Sequence, residues 1–100
     1  MPSPVVMITL RSPAAGVFTL LAAYRQHQAT GDLRSMGADQ LNLSRVFREL
    51  KRDRAARKAL DRAIRHFKQA PAPESLHRAQ HQLEQLDRTH AIRTFNGTRN

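Results

Sequence analysis

The sequence contains no cysteine and no tryptophan, and its 100 residues include only four phenylalanines and one tyrosine. Without cysteine, neither a disulfide framework nor a thiolate metal site can form. With so few aromatic residues, a hydrophobic core has to be built mainly from leucine, alanine, valine and isoleucine. A chain of this length suits one domain, and we expect it over residues 1–94, with a disordered tail at 95–100.

Long apolar runs and signal features are also missing. No stretch reaches the roughly 18 consecutive apolar residues that a bilayer span needs. The first residues lack the basic and apolar regions of a signal peptide. We therefore expect a cytoplasmic protein without membrane contact.

The residue patterns that carry catalysis are scarce as well. The sequence has no glycine-rich phosphate loop and no paired carboxylates beside a base. His77, His81 and Glu84 follow at i, i+4 and i+7, but the sequence supplies no convincing further ligands to complete a zinc site. We expect no catalytic residues, no metal, no cofactor and no small-molecule substrate.

Acidic residues are few, and the excess positive charge is concentrated in one segment. The formal net charge is +9, from 17 Lys and Arg, 14 of them Arg, against eight Asp and Glu. Residues 1–42 and 71–100 contribute +1 each, whereas residues 43–70 hold ten basic and three acidic residues, a net +7. Such a local concentration is the electrostatic signature of a polyanionic partner.

The first third of the chain predicts a strand and a helix. Residues 5–11 alternate β-branched and other side chains, which indicates a short strand. Ser12 before Pro13 is a typical helix start, so we expect a helix over about 13–28 that ends before Gly31. Residues 29–38, with two glycines, predict a loop.

The stretch 43–69 has no glycine or proline and predicts a second helix. Its apolar positions share one face at helical spacing: Val46, Leu50, Leu60, Ile64 and Phe67. Asp53 and Arg57 interrupt that face, so the sequence leaves two possibilities open: one continuous helix, or two helices with a break near Lys51-Arg52-Asp53.

Two prolines, Pro71 and Pro73, separate this region from a helix predicted over 74–92. The short connection predicts an antiparallel hairpin between residues 54–70 and 74–92. The expected fold is therefore mainly α, with a short N-terminal β-strand followed by three to four helices that end in an antiparallel hairpin.

Five cations fall within about 80° of one another on a helical wheel, opposite Leu60, Ile64 and Phe67. This basic stripe consists of Lys51, Arg54, Lys58, Arg62 and Arg65. Neighbouring like charges on a helix repel each other by a few tenths of a kcal/mol per pair. Phosphates would relieve that repulsion, so we predict contact with nucleic acid or another acidic partner. A solvent-exposed face without a partner is the alternative that the sequence leaves open.

The strand followed by Ser12-Pro13 and a helix resembles the start of the ribbon–helix–helix DNA-binding proteins, the class of the Arc and methionine repressors. The resemblance covers residues 5–50. It implies a homodimer in which two strands pair and enter the major groove, with Met7, Thr9 and Arg11 facing the bases. It also implies that Ile8 and Leu10 pack inside, and that a second helix begins near residues 42–44 with an amide on a phosphate.

The functional prediction is a small, non-enzymatic DNA-binding regulator or accessory factor, which contacts phosphates through its basic helix. The expected partners are nucleic acid, with double-stranded DNA preferred over RNA, and a second copy of the chain. The alternative is a helical adaptor, inhibitor or ribonucleoprotein subunit that docks on an acidic protein surface.

Overall fold

A computed structural model describes residues 13–99, and the side chains of residues 13–92. It contains four helices: α1 (Pro13–Thr30), α2 (Leu33–Glu49), α3 (Asp53–Gln69) and α4 (Pro73–Arg99). These residues form no strand, so the expected mixture of helices with a strand is wrong for this part of the chain. The segment in which we predicted a strand, residues 5–11, lies outside the described residues.

Two predicted boundaries need correction. Helix α2 begins at Leu33, inside the loop predicted over 29–38. Of the two possibilities left open for 43–69, the structure has the break, which falls between Glu49 and Asp53. Helix α4 continues to Arg99, past the end predicted at residue 92 and into the expected disordered tail.

Helix α2 starts early because Asp32 caps it. The Asp32 side chain accepts a hydrogen bond from the Ser35 backbone N–H at 3.2 Å and another from Ser35 Oγ at 2.7 Å. A carboxylate in this position satisfies an amide that the first helical turn leaves unpaired. The same bonds from Ser35 hold the pKa of Asp32 below its ordinary value.

Helices α1 and α2 each end in a turn with the same pattern of hydrogen bonds, although the sequences of the two turns differ. In the first turn Gly31 has a φ of 72°, with bonds from Gly31 N to Gln28 O and from Asp32 N to His27 O. In the second, Lys51 has a φ of 61°, with bonds from Lys51 N to Arg48 O and from Arg52 N to Phe47 O. Both are Schellman motifs, in which the left-handed residue is usually glycine.

The helices pack as antiparallel neighbours along the chain, α1 on α2, α2 on α3 and α3 on α4. His27 of α1 contacts Asp39 of α2, and Arg57 of α3 forms a salt bridge with Asp87 of α4. The second contact lies within the hairpin that the short connection at Pro71 predicts. The Arg34 guanidinium ties the start of α2 to this connection by donating to the Pro71 carbonyl at 2.7 Å.

The main core lies among α2, α3 and α4 and is rich in alanine. Its buried members are Leu41, Ala56, Leu60, Ala63, Phe67, Ala72, Ala79 and Leu86. Alanine on facing helices lets their axes approach closely, and Gly37 of α2 goes further, because a Cβ there would lie 2.5 Å from Cε1 of Phe67. Helix α3 supplies five of the chain's buried residues, which orients its opposite face toward solvent.

Helix α1 lies at the edge of this arrangement and has no buried residue. Phe18 is 76% exposed and Leu21 is 37% exposed. No helix in residues 13–99 is long and apolar enough to cross a membrane.

Candidate nucleic-acid interface

All five residues of the basic stripe are exposed. Arg54, Lys58, Arg62 and Arg65 lie along α3, while Lys51 lies in the turn before it and not on a continuous helix. Arg54 and Arg65 are eleven positions apart, which is about 16 Å along a helix axis. The stripe faces away from the core because Ala59, Leu60 and Ala63 occupy the other side of α3.

The stripe's positive charge is not neutralised by pairing inside the protein. Within the described residues, none of its five side chains forms a salt bridge or a hydrogen bond. Arg57 differs, because it pairs with Asp87 across the α3–α4 hairpin. The stripe therefore presents five cations to solvent, whereas the neighbouring Arg57 is used in the contact between α3 and α4.

Cations outside the basic stripe lie near its first residues, at the turn between α2 and α3. A groove of about 370 Å³ lies beside the turn, and its charged lining residues are three cations, Arg45, Arg48 and Lys51, and two carboxylates, Glu49 and Asp53. A second groove of about 530 Å³ is lined by Lys51, Arg52, Arg54 and Lys58, together with Asp53 and Ala55. The turn brings the last part of α2 beside the start of α3, so Arg45, Arg48 and Arg52 lie near the end of the basic stripe formed by Lys51 and Arg54.

The residues expected to contact bases, Met7, Thr9 and Arg11, lie outside the described residues. The second helix that the ribbon–helix–helix resemblance places near residues 42–44 does not begin there, because these residues lie in the middle of α2. Ser44 is fully buried, and its hydroxyl donates to the Leu41 carbonyl at 2.6 Å. Ser44 is therefore not available as a helix cap that meets a phosphate. The resemblance itself stays a prediction.

The histidines divide between an exposed helix face and the α1 contact. His77 and His81 are exposed on α4, as is Glu84, and no group of three or more potential ligands among the described residues could hold a metal ion. Two others pin α1: His27 Nδ1 lies 2.6 Å from Asp39 Oδ2, and His66 Nε2 lies 2.9 Å from the Tyr24 hydroxyl. These contacts attach α1 to α2 and α3.

His66 is electrostatically linked to the basic stripe. Burial lowers its pKa, and the neighbouring charges of Arg65 and Arg62 lower it further. Its Nδ1 atom is buried without a hydrogen-bond partner among the described residues. The charged imidazolium needs a proton on both ring nitrogens, including this buried Nδ1, and its charge is repelled by the two arginines, so the fold favours neutral His66.

Searches with this chain match no family model, no curated protein and no solved structure.

Proposed function

We propose that this protein is a non-enzymatic DNA-binding regulator or accessory factor, which contacts the phosphate backbone through the basic stripe. One observation carries the proposal: five exposed cations line one side of the α3 region, and none of them is paired within the described residues. Arginine and lysine in such a row release condensed counterions when they meet phosphates, which favours binding. The grooves at the α2–α3 turn add Arg45, Arg48 and Arg52 at the end of the row.

Duplex DNA suits the stripe better than a single strand does. Proteins that bind single strands stack the bases on exposed aromatic side chains next to a basic groove. Among the described residues, Phe67 is buried and Phe47 is half-buried, whereas the exposed Phe18 belongs to α1, which packs on α2. A row of cations without exposed aromatic side chains beside it contacts phosphates and not bases, so binding through it should depend little on base sequence.

The test is fluorescence anisotropy with a random-sequence DNA duplex over a series of salt concentrations. Each phosphate contact contributes about −0.9 to the slope of log affinity against log salt, so five contacts predict a slope of about −4.5. The triple variant Arg54→Gln, Lys58→Gln, Arg62→Gln should make the slope shallower by roughly three units. Circular dichroism should show an unchanged fold, because all three side chains are exposed.

The matched control removes the same charge elsewhere. Arg25, Arg78 and Arg88 are also exposed and lie on α1 and α4. Their triple replacement by Gln should change the slope by less than one unit, because it lowers only the overall charge. Equal losses in the two triples would reject the stripe as the binding site. No binding by the wild type even at low salt would favour the alternative, docking on an acidic protein surface.

A further inference from the structure

The outward side of α1 is an apolar surface without a partner among the described residues. Helical positions repeat every 3.6 residues, so Ala14, Phe18, Leu21, Ala22, Arg25 and Ala29 share one side of α1, and all six are exposed. We call these six residues the outward face of α1. The opposite side packs on α2, where a Cβ at Gly16 would lie 3.8 Å from Val46 Cγ2.

We infer that the outward face of α1 binds the same face of a second copy of the chain. The charge distribution favours this occupant. Arg25 is the only Asp, Glu, Lys or Arg in α1, in a chain whose net charge is +9. Two copies of this chain repel each other mainly through residues 43–70, and contact through a helix with a single charged residue keeps those segments out of the interface. An acidic partner, by contrast, would find little to pair with on this face.

The shape of the face is self-complementary. Phe18 has a small residue one turn before it, Ala14, and another one turn after it, Ala22. A symmetric dimer brings the same patch of both copies together, so a large side chain needs a small neighbour on the other copy. With this spacing, Phe18 of each copy can lie over an alanine of the other, in the manner of a knob in a hole.

The available area predicts a weak association. A helix of 18 residues is about 27 Å long and roughly 10 Å wide, which offers on the order of 300 Å² per copy. Stable complexes usually bury about 800 Å² on each partner. The dimer should therefore form only as the protein concentration rises through the micromolar range and above. Dimer formation through α1 does not depend on the proposed DNA binding.

Sedimentation velocity of the full chain tests the inference. From about 1 µM to about 500 µM, the average mass should rise from the monomer value of 11.4 kDa toward twice that value. Higher salt should increase the dimer fraction by screening the repulsion between copies, whereas it weakens DNA binding. The opposite salt responses keep the two proposals separate. A wild type that stays monomeric over this range at both low and high salt would overturn the inference.

Two matched variants locate the contact. Phe18→Glu should abolish the dimer, because it buries a charge in the middle of an apolar contact. Thr19→Glu adds the same charge at the next residue, which is exposed but lies outside the outward face, and it should still form dimers. If both variants dimerise like the wild type, the contact lies elsewhere and the assignment to α1 is wrong.

A further measurement distinguishes a second copy from another part of the same chain. Where the wild type is monomeric, Phe18→Glu should unfold at the same temperature as the wild type, because Phe18 is 76% exposed. A lower unfolding temperature under those conditions would mean that residues of the same chain cover the face, which overturns the inference. Leu21→Glu should reproduce the loss of dimer seen with Phe18→Glu.

Discussion

Helices α1 and α3 reverse the usual relation between composition and burial. Helix α1 has one charged residue, Arg25, setting aside His27, and yet none of its residues is buried. Helix α3 has eight Asp, Lys or Arg among its 17 residues and still places five residues in the interior: Ala56, Ala59, Leu60, Ala63 and Phe67. The arrangement of apolar residues around the helix, and not their number, decides which helix forms the core.

The reason is geometric. In α3 the apolar residues follow one another at spacings of three and four and form a single side, which α2 and α4 can cover. In α1 the apolar residues are spread around the axis, and α2 is its main neighbour. One neighbour can cover only one side of a helix, so Phe18 and Leu21 stay exposed.

The largest effect expected from this contrast concerns the two phenylalanines. Phe67 is 2% exposed and Phe18 is 76% exposed. Phe67→Ala should lower the free energy of unfolding by about 3–5 kcal/mol, because it leaves a cavity in the core. Phe18→Ala should change it by less than about 0.5 kcal/mol. Urea denaturation at low protein concentration measures both values, and similar losses would contradict the assignment of the core to α3.

Two glycines give a smaller and more specific comparison. A Cβ at Gly37 would lie 2.5 Å from the Phe67 ring, which is buried and cannot easily move. Gly37→Ala should therefore destabilise the protein by about 1–3 kcal/mol. At Gly16 the nearest atom, Val46 Cγ2, is at an ordinary contact distance of 3.8 Å, so Gly16→Ala should stabilise α1 by about 0.5–1 kcal/mol.

Denaturation curves of the two alanine variants should thus shift in opposite directions. Adding Phe67→Leu to Gly37→Ala should recover part of the loss, since the smaller side chain makes room for the new methyl group. Destabilisation by both glycine substitutions would mean that the contact between α1 and α2 is packed as tightly as the contact between α2 and α3.

Features with a distinctive residue at the right place could be predicted from the sequence. Gly31 ends α1, and Pro73 opens α4, because each residue has a backbone preference that few others share. The sequence indicated a possible break near Lys51 but did not distinguish it from a continuous helix, because lysine rarely adopts a positive φ and residues 43–69 contain no glycine or proline. The packing of α2 on α3 requires a Schellman turn at Lys51, although the backbone preference of lysine disfavours it.

The candidate interface was predictable to a similar extent. The alternation of cations with Leu60, Ile64 and Phe67 places the basic stripe opposite the core, and the structure exposes all five residues. The contribution of Arg45 and Arg48 depends on where the chain turns, so the grooves there could not be seen from periodicity. The apolar spacing did not single out Ala56 and Ala63 of α3, because a small side chain gives a weak hydrophobic signal, although close helix packing requires it.

The smallest expected effect is a change in stability with pH at the contact that attaches α1 to α3, and the direction of that change tests the assignment. The Tyr24 hydroxyl lies 2.9 Å from His66 Nε2, and burial lowers the pKa of His66, as do the charges of Arg65 and Arg62. Above the ordinary histidine pKa of about 6.5, His66 is neutral in both the folded and the unfolded chain. As the pH falls through that value, the unfolded chain takes up a proton first. The folded state therefore loses stability between the ordinary pKa and the lower pKa of the fold.

Urea denaturation between about pH 8 and about pH 5.5 should show this loss in the wild type. His66→Gln should reduce the pH dependence, whereas His81→Gln, which alters an exposed side chain on α4, should leave it as in the wild type. Replacing both Arg62 and Arg65 by Gln should remove only the smaller part of the pH dependence, because burial is the first cause of the lowered pKa. The fold should not change, because both arginines are exposed. If the double variant abolishes the effect, the stripe's charge and not burial controls His66. If His66→Gln keeps the full effect, the pH dependence arises elsewhere and the α1–α3 contact does not titrate.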